Sequence, residues 1–233
     1  MRKFIIIQIL MVLIISFSVI LTGCSKKDEE QKPSDIWDIE KSGIPRFVET
    51  NYIELDKIYR VSKFRSSVGH DYSDAFEQCR SMKHYFEPRS ESDWTTIKIF
   101  SPVTGTITRN EMEWAGAKIE IASDDYPAFR FSIFHINPLK LFNIGDKVVS
   151  GEQMGTHIGP QTMSDISVIV NDPTKQGRMV SYFEVITNTL LNTYTNLTRE
   201  DFIIQKSTRD ANPLNCNGDT FITTDTLENW TFL

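Results

Sequence analysis

Between residues 95 and 170 the chain returns again and again to short alternating or β-branched segments closed by turn residues, and this pattern confines it to a β-rich fold. The segments are Thr95-Thr96-Ile97-Lys98-Ile99-Phe100, Gly105-Thr106-Ile107-Thr108, Ala117-Lys118-Ile119-Glu120-Ile121 and Phe129-Arg130-Phe131-Ser132-Ile133-Phe134. A period of two sends successive side chains to opposite faces, which is how a half-buried strand reads. Lys147-Val148-Val149, Met154-Gly155 and Ile166-Ser167-Val168-Ile169-Val170 extend the sheet. The expected class is mainly β, an antiparallel sandwich or barrel-like sheet with a few peripheral helices. Tyr72, Phe76, Cys79 and Met82 or Lys83 recur at helical intervals and predict a short helix over 71–85. Tyr182, Phe183, Val185, Ile186, Leu190 and Leu191 predict a second over 181–194.

The start of the chain has a different character. Arg2 and Lys3 precede an uncharged, mostly apolar run from Phe4 to Leu21, the layout of an export signal. It ends in Leu21-Thr22-Gly23-Cys24, followed by the polar stretch Ser25-Lys26-Lys27-Asp28-Glu29-Glu30. This resembles the bacterial lipobox, which implies cleavage before Cys24, lipidation of Cys24 with palmitate-type acyl chains, and attachment to the cell membrane or outer membrane. An uncleaved membrane-spanning helix is the competing reading, since a run of this length can cross a bilayer. Either reading keeps the remainder outside the cytoplasm and tethered. The expected organisation is a signal peptide over 1–23, a lipidated cysteine and flexible tether over 24–43, a β domain over 44–180, and a helix and tail packing on it over 181–233.

Charge narrows the partners. The chain has 25 basic and 31 acidic residues, a formal net charge of −6, and the leader removes only Arg2 and Lys3, so the remainder is more acidic still. A nucleic-acid partner is therefore not expected. With Cys24 assigned to lipid, Cys79 and Cys216 remain as an even pair in an oxidising compartment, and a disulfide between them is expected. Two buried thiols that never meet are the alternative, because sequence does not set the separation of their Cα atoms.

Two turn-bearing segments read together: Ser101-Pro102-Val103-Thr104-Gly105-Thr106-Ile107 and Gly145-Asp146-Lys147-Val148-Val149-Ser150-Gly151-Glu152-Gln153-Met154-Gly155. Their glycines permit positive φ and close backbone approach. Biotinyl and lipoyl carrier domains contain similar turns, but no Met-Lys-Met follows the Gly-Asp turn here. The spacing, with Phe134-His135-Ile136 between the segments, resembles the lysostaphin or LytM-type zinc endopeptidases, whose fold is the duplicated hybrid motif. The resemblance covers roughly residues 70–170.

It implies a site that can be followed residue by residue. Active members bring a His-x-x-x-Asp to the metal, with a further histidine near the end of a central strand and a late His-x-His whose second histidine is the third ligand and whose first polarises the water. His70 and Asp74 have the first spacing and His135 stands where the isolated histidine belongs, but the late pair reads Asp165-Ile166-Ser167. A catalytic zinc commonly has three protein ligands and an open position for water. Serine is a poor zinc ligand, and Asp165 brings negative charge where a neutral or positive donor is wanted. The metal site therefore reads as degenerate, zinc being the only cofactor the resemblance admits. His84 and His157 are the available substitute ligands, and His70 and Asp74 have a plain alternative as a local polar pair.

The leading expectation is a non-catalytic, peptidase-like domain that binds, scaffolds or regulates at the cell wall, partnered by peptidoglycan or an envelope protein and by the membrane through its anchor. Two rivals stand beside it: an active zinc metalloendopeptidase with altered ligands, and an envelope protein that binds a small molecule or glycan.

Overall fold

The structure is a computed structural model and describes residues 34–233. The signal peptide and Cys24 lie outside the described residues. Thirteen strands follow one another: β1 Ile58–Ser62, β2 His84–Pro88, β3 Lys98–Phe100, β4 Gly105–Glu113, β5 Gly116–Ser123, β6 Phe129–Pro138, β7 Lys147–Val148, β8 Gln153–His157, β9 Ser164–Asn171, β10 Gln176–Val180, β11 Cys216–Asn217, β12 Thr220–Phe221 and β13 Trp230–Phe232. All but β11 and β12 join one antiparallel sheet whose main path runs β13-β1-β2-β9-β6-β5-β4-β7. The mainly β class is the one expected. The sheet is open, its path ending at β13 and β7 without closing.

Strand periodicity sets what each face carries. Ile166, Val168 and Val170 of β9, Phe129, Phe131 and Ile133 of β6, and Ile119 and Ile121 of β5 all enter the main hydrophobic core. Each such side chain contributes about 1.5–3 kcal/mol by leaving water. The alternate residues, Asp165 and Ser167 of β9, Ser132 of β6 and Glu120 of β5, form the opposite face and are also buried. That face is covered by a smaller cluster of Phe64, Met82 and Met179, with Tyr72 packed against it. A polar row is thus held between two apolar layers.

Two glycines of the turn segments do different work. At Gly105 an added Cβ would lie 2.3 Å from the carbonyl oxygen of Ala122, so the β4–β5 pairing requires the bare backbone. Gly145 has φ +95° and nothing within 4 Å of an added Cβ, so its need is conformational alone.

Three local expectations are corrected. Residues 71–85 form no helix. Cys79 sits at φ +54°, incompatible with helical propagation, and Ser81 makes bridge pairs with Ser66 and Tyr72 before the chain enters β2. The helical spacing arose because Tyr72 and Met82 reach the smaller cluster, whereas Phe76 is exposed. Residues 181–194 hold two single turns, Tyr182–Val185 and Asn188–Leu191, split where Ile186 turns extended and bridges Val48. The segment before β3 is a 3₁₀ turn, Trp94–Thr96, not strand.

Both the first and the last of the described residues are built into the domain. Ile39 lies in the main core and Trp37 packs against it, so packing starts ahead of residue 44. The tail adds β13 to the sheet edge beside β1. Arg209, fully buried, pairs with Asp225 at 2.6 Å; burial alone would raise that carboxyl, yet Arg209 and the Leu227 amide hold it at about 2. The expected disulfide is present: Cys79 and Cys216 are bonded with Cα atoms 5.7 Å apart, closing a sequence separation of 137 residues.

Gly105→Ala is expected to cost about 3 kcal/mol, because the carbonyl it meets belongs to a paired strand. Gly145→Ala should cost about 1–2 kcal/mol, from φ alone. Urea unfolding of both variants measures the difference; a Gly105→Ala protein as stable as the parent contradicts the close approach.

Candidate functional site

Pairing of β2, β9, β6 and β5 brings Tyr85, Asp165, Phe134, His135 and Lys118 to one end of the polar face, where they line a cavity of about 510 Å³. The loop before β2 supplies the opposing wall with His70 and Tyr72. An irregularity in β6 shapes the floor. Ala117 pairs with Ile136 and Ile119 with Ile133, so Phe134 and His135 together oppose Lys118 alone. Such a bulge re-aims side chains. Here both Phe134 and His135 reach the cavity, while Ile136 returns to the core. His135 takes φ +62°, a conformation that a non-glycine residue holds only when its surroundings impose it.

Lys83 dominates the charge of the site. It lies just before β2, in a run of apolar and aromatic residues, with its side chain only 3% exposed. Its ammonium donates to Asp165 Oδ2 at 2.8 Å, and Asp165 is itself 1% exposed. The same ammonium stands 3.6 Å from the centroid of Phe134 and 4.2 Å from that of Tyr72. A buried charge needs both a counter-charge and polarisable neighbours, and these residues provide them. The other carboxylate oxygen, Asp165 Oδ1, lies 3.5 Å from His135 Nε2 and has no hydrogen-bond partner. His135 is held from behind, its Nδ1 donating to the Ala115 carbonyl at 2.9 Å. Ser167 Oγ is also buried, on the same face as the Tyr72 side chain that packs against it.

The residues singled out in the sequence divide. His135, Asp165 and His70 line the cavity together. Asp74 does not join them, since Oδ1 accepts from the Phe76 and Glu77 amides and Oδ2 from the Met179 amide, tying the loop to β10. Its spacing from His70 thus serves the backbone, and His70 Nδ1 contacts the Asp71 carbonyl at 2.9 Å. His84 is a core residue: Nδ1 donates to the Ser62 carbonyl, Nε2 accepts from Ser181, and the ring packs against Phe183. His157 Nδ1 accepts from the Gly159 amide. Burial holds both of these imidazoles down at about 4.

Sequence reasoning missed Lys83. Its signal was a single cation inside Met82-Lys83-His84-Tyr85-Phe86, a run otherwise suited to a buried strand. It missed the exposed Trp114 as well, which stands at the β4–β5 hairpin with its ring centroid 5.8 Å from that of His135.

The donor set does not fit zinc. Lys83 neutralises Asp165, at the first position of the late pair, and presents positive charge to any incoming cation. Ser167 is a poor ligand and Asp74 is committed elsewhere. Among the described residues no three His, Cys, Asp or Glu side chains are grouped to hold a metal ion.

No family model matches the sequence, and no curated protein is similar to it. Among solved structures, the chain is similar to the SpoIIQ–SpoIIIAH pore-forming complex over 66% of its own length and 99% of the other chain, at 12% identity and TM-score 0.43. It is similar to Csd3 of Helicobacter pylori over 61% of its length and 34% of that chain, at 14% identity and TM-score 0.44. The catalytic domain of lysostaphin from Staphylococcus simulans matches 50% of this chain and 84% of its own, at 16% identity and TM-score 0.34. A putative glycyl-glycine endopeptidase lytM from Ruminococcus gnavus is also among the solved structures the chain is similar to, over 44% of its length and 43% of that chain, at 14% identity and TM-score 0.35. The chemistry of the cleft rests on its own geometry.

The buried histidines give a pH dependence of defined sign. The unfolded chain protonates His84 near 6.5 and the folded chain only near 4, so the unfolded state binds more protons between these values. Stability is therefore constant with respect to His84 above about pH 6.5 and falls as pH drops towards 4, by on the order of 3 kcal/mol at saturation. Unfolding followed across this window should show a shallower slope in His84→Gln than in the parent; equal slopes contradict the assignment.

Proposed function

We propose that the chain is a cell-envelope lipoprotein whose peptidase-like domain binds rather than cuts. The observation that carries this reading is the Lys83–Asp165 ion pair, which puts a fixed ammonium and a paired carboxylate where the resemblance calls for a histidine that polarises water. With Lys83 in place the Asp165 carboxylate is already paired with a fixed ammonium, which repels an incoming metal cation. What remains is a cleft with aromatic walls and a buried charged floor, a surface for recognition. Attachment through lipid at Cys24 would hold this cleft at the cell membrane or outer membrane, within reach of peptidoglycan or of an envelope protein. The lipobox-like sequence supports that placement.

A second reading, a glycan- or small-molecule-binding protein, is favoured by one particular feature. Trp114 is 77% exposed at the cleft mouth, with Tyr72 and Phe134 inside. Aromatic side chains of this kind provide large apolar faces on which flat or cyclic ligands stack.

The full chain, purified without chelators, is expected to contain substoichiometric zinc and to leave cross-linked peptidoglycan uncut. One zinc per chain together with cleavage would overturn the proposal in favour of a metallopeptidase. A thermal-shift series with muropeptides and simple sugars separates the two binding readings. Stabilisation lost in Trp114→Ala supports a ligand stacked in the cleft, whereas no stabilisation by any of them points to a protein partner.

A further inference from the structure

A second cavity, of about 520 Å³, shares no lining residue with the cleft. The segment that enters the domain, with Ile39, Ile44 and Arg46, forms one side, and Arg65, Arg199 and Lys206 form much of the other. Two of its four cations are committed. Arg65 grips Glu77 with Nε and Nη2 at 2.6 and 2.8 Å, and Lys206 is paired with Asp210. Arg46 and Arg199 are not: among the described residues neither has a carboxylate oxygen within 4.0 Å, the limit that defines an ion pair.

These two guanidinium groups converge. Arg199 Nη2 donates to Asn188 Oδ1 at 2.7 Å, and Arg46 Nη1 reaches the same oxygen at 3.5 Å. Arg199 is 9% exposed, and among the described residues its side chain's only other hydrogen bond goes from Nη1 to the Phe183 carbonyl. Two like charges therefore meet at one neutral acceptor, and burial followed by the neighbouring Arg46 lowers the pKa of Arg199. The acidic residues of the wall, Glu184 and Glu200, offset this only in part, and neither forms an ion pair with Arg199. Glu184 turns Oε2 to the Ser181 amide at 2.8 Å, and burial raises its carboxyl so that it gives up its charge more readily. Glu200 is an exposed rim residue that pairs with neither arginine.

We propose that Arg46 and Arg199 form a binding site for a phosphoryl oxyanion. A carboxylate offers two oxygens and is matched by one guanidinium edge, whereas a phosphoryl group offers three and can satisfy two forks from different sides. Asn188, already shared by both arginines, fixes the spacing between them. The same chemistry has two sources, a soluble phosphate or the phosphate of a lipid headgroup.

The test uses the full chain in a neutral maltoside detergent, with inorganic phosphate as the probe in calorimetry at constant ionic strength. Saturable binding is expected, weakened about tenfold in Arg46→Gln, the loss typical of one charge-assisted contact. Arg46 is exposed, so its replacement leaves the fold intact. Arg89→Gln, which changes a half-buried arginine outside this cavity whose side chain, among the described residues, hydrogen-bonds only to the Asp56 carbonyl, should bind as the parent does. Repeating the titration in micelles doped with phosphatidylglycerol separates the sources. Loss of the phosphate signal assigns the site to a headgroup, and an unchanged signal assigns it to a soluble phosphate. No saturable binding in the parent, or equal affinity in Arg46→Gln, overturns the proposal.

Discussion

Lys83 and Asp165 meet at 2.8 Å on the face of the sheet that does not point into the main core, and the arrangement of that face follows from keeping the pair out of water. An ammonium and a carboxylate buried together lose hydration worth several kcal/mol each, so the contact persists only if the geometry is good and the surroundings are polarisable. Tyr72 and Phe134 surround the ammonium, and the Asp74 carboxylate pins the loop carrying Tyr72 to β10. The bulge that brings Phe134 to the cleft also delivers His135 beside the free oxygen of Asp165. Removing either charged partner would leave the other buried and uncompensated, which is far more costly than losing an exposed ion pair.

The outer wall of the cleft depends on the tail. The loop bearing His70 and Tyr72 is joined to residues 210–219 by the Cys79–Cys216 disulfide, the Arg80–Asp210 ion pair and the Asp71 amide, which donates to the Asp219 carbonyl. The tail is held in turn by the buried Arg209–Asp225 pair and by β13 at the sheet edge. A cross-link between segments so distant in sequence restricts the unfolded chain strongly, and here it also fixes a wall of the candidate site.

Much of this was legible in the sequence, for physical reasons that differ by element. β5, β6 and β9 declare themselves because one face is apolar and the other is not, so the period of two survives in the residues. The turn glycines were legible because close approach at Gly105 and positive φ at Gly145 leave few alternatives. The stretch over 71–85 misled because spacing records which side chains are apolar, not what they pack against; Tyr72 and Met82 reach their cluster from irregular backbone stabilised by Asp74 and Cys79. Lys83 was hidden because a lone lysine gives no sign of burial until its counter-charge, 82 residues away, is placed beside it. The β6 bulge was equally hidden, since one unmatched residue leaves no trace in hydrophobic alternation.

The histidines make the same point from the other side. His84 and His157 have the composition of metal ligands and the environment of core residues, whereas His135 lines the cleft with its backbone under strain. Residue type proposes chemistry, and the hydrogen-bond partner decides it. The central claim is that the cleft carries its own fixed cation. Nuclear magnetic resonance of the lysine side-chain ammonium groups tests it directly. The Lys83 signal should exchange slowly with water, be shifted upfield by the Phe134 and Tyr72 rings, and disappear in Asp165→Asn. A Lys83 signal that exchanges as fast as those of exposed lysines, without a ring-induced shift, would contradict it.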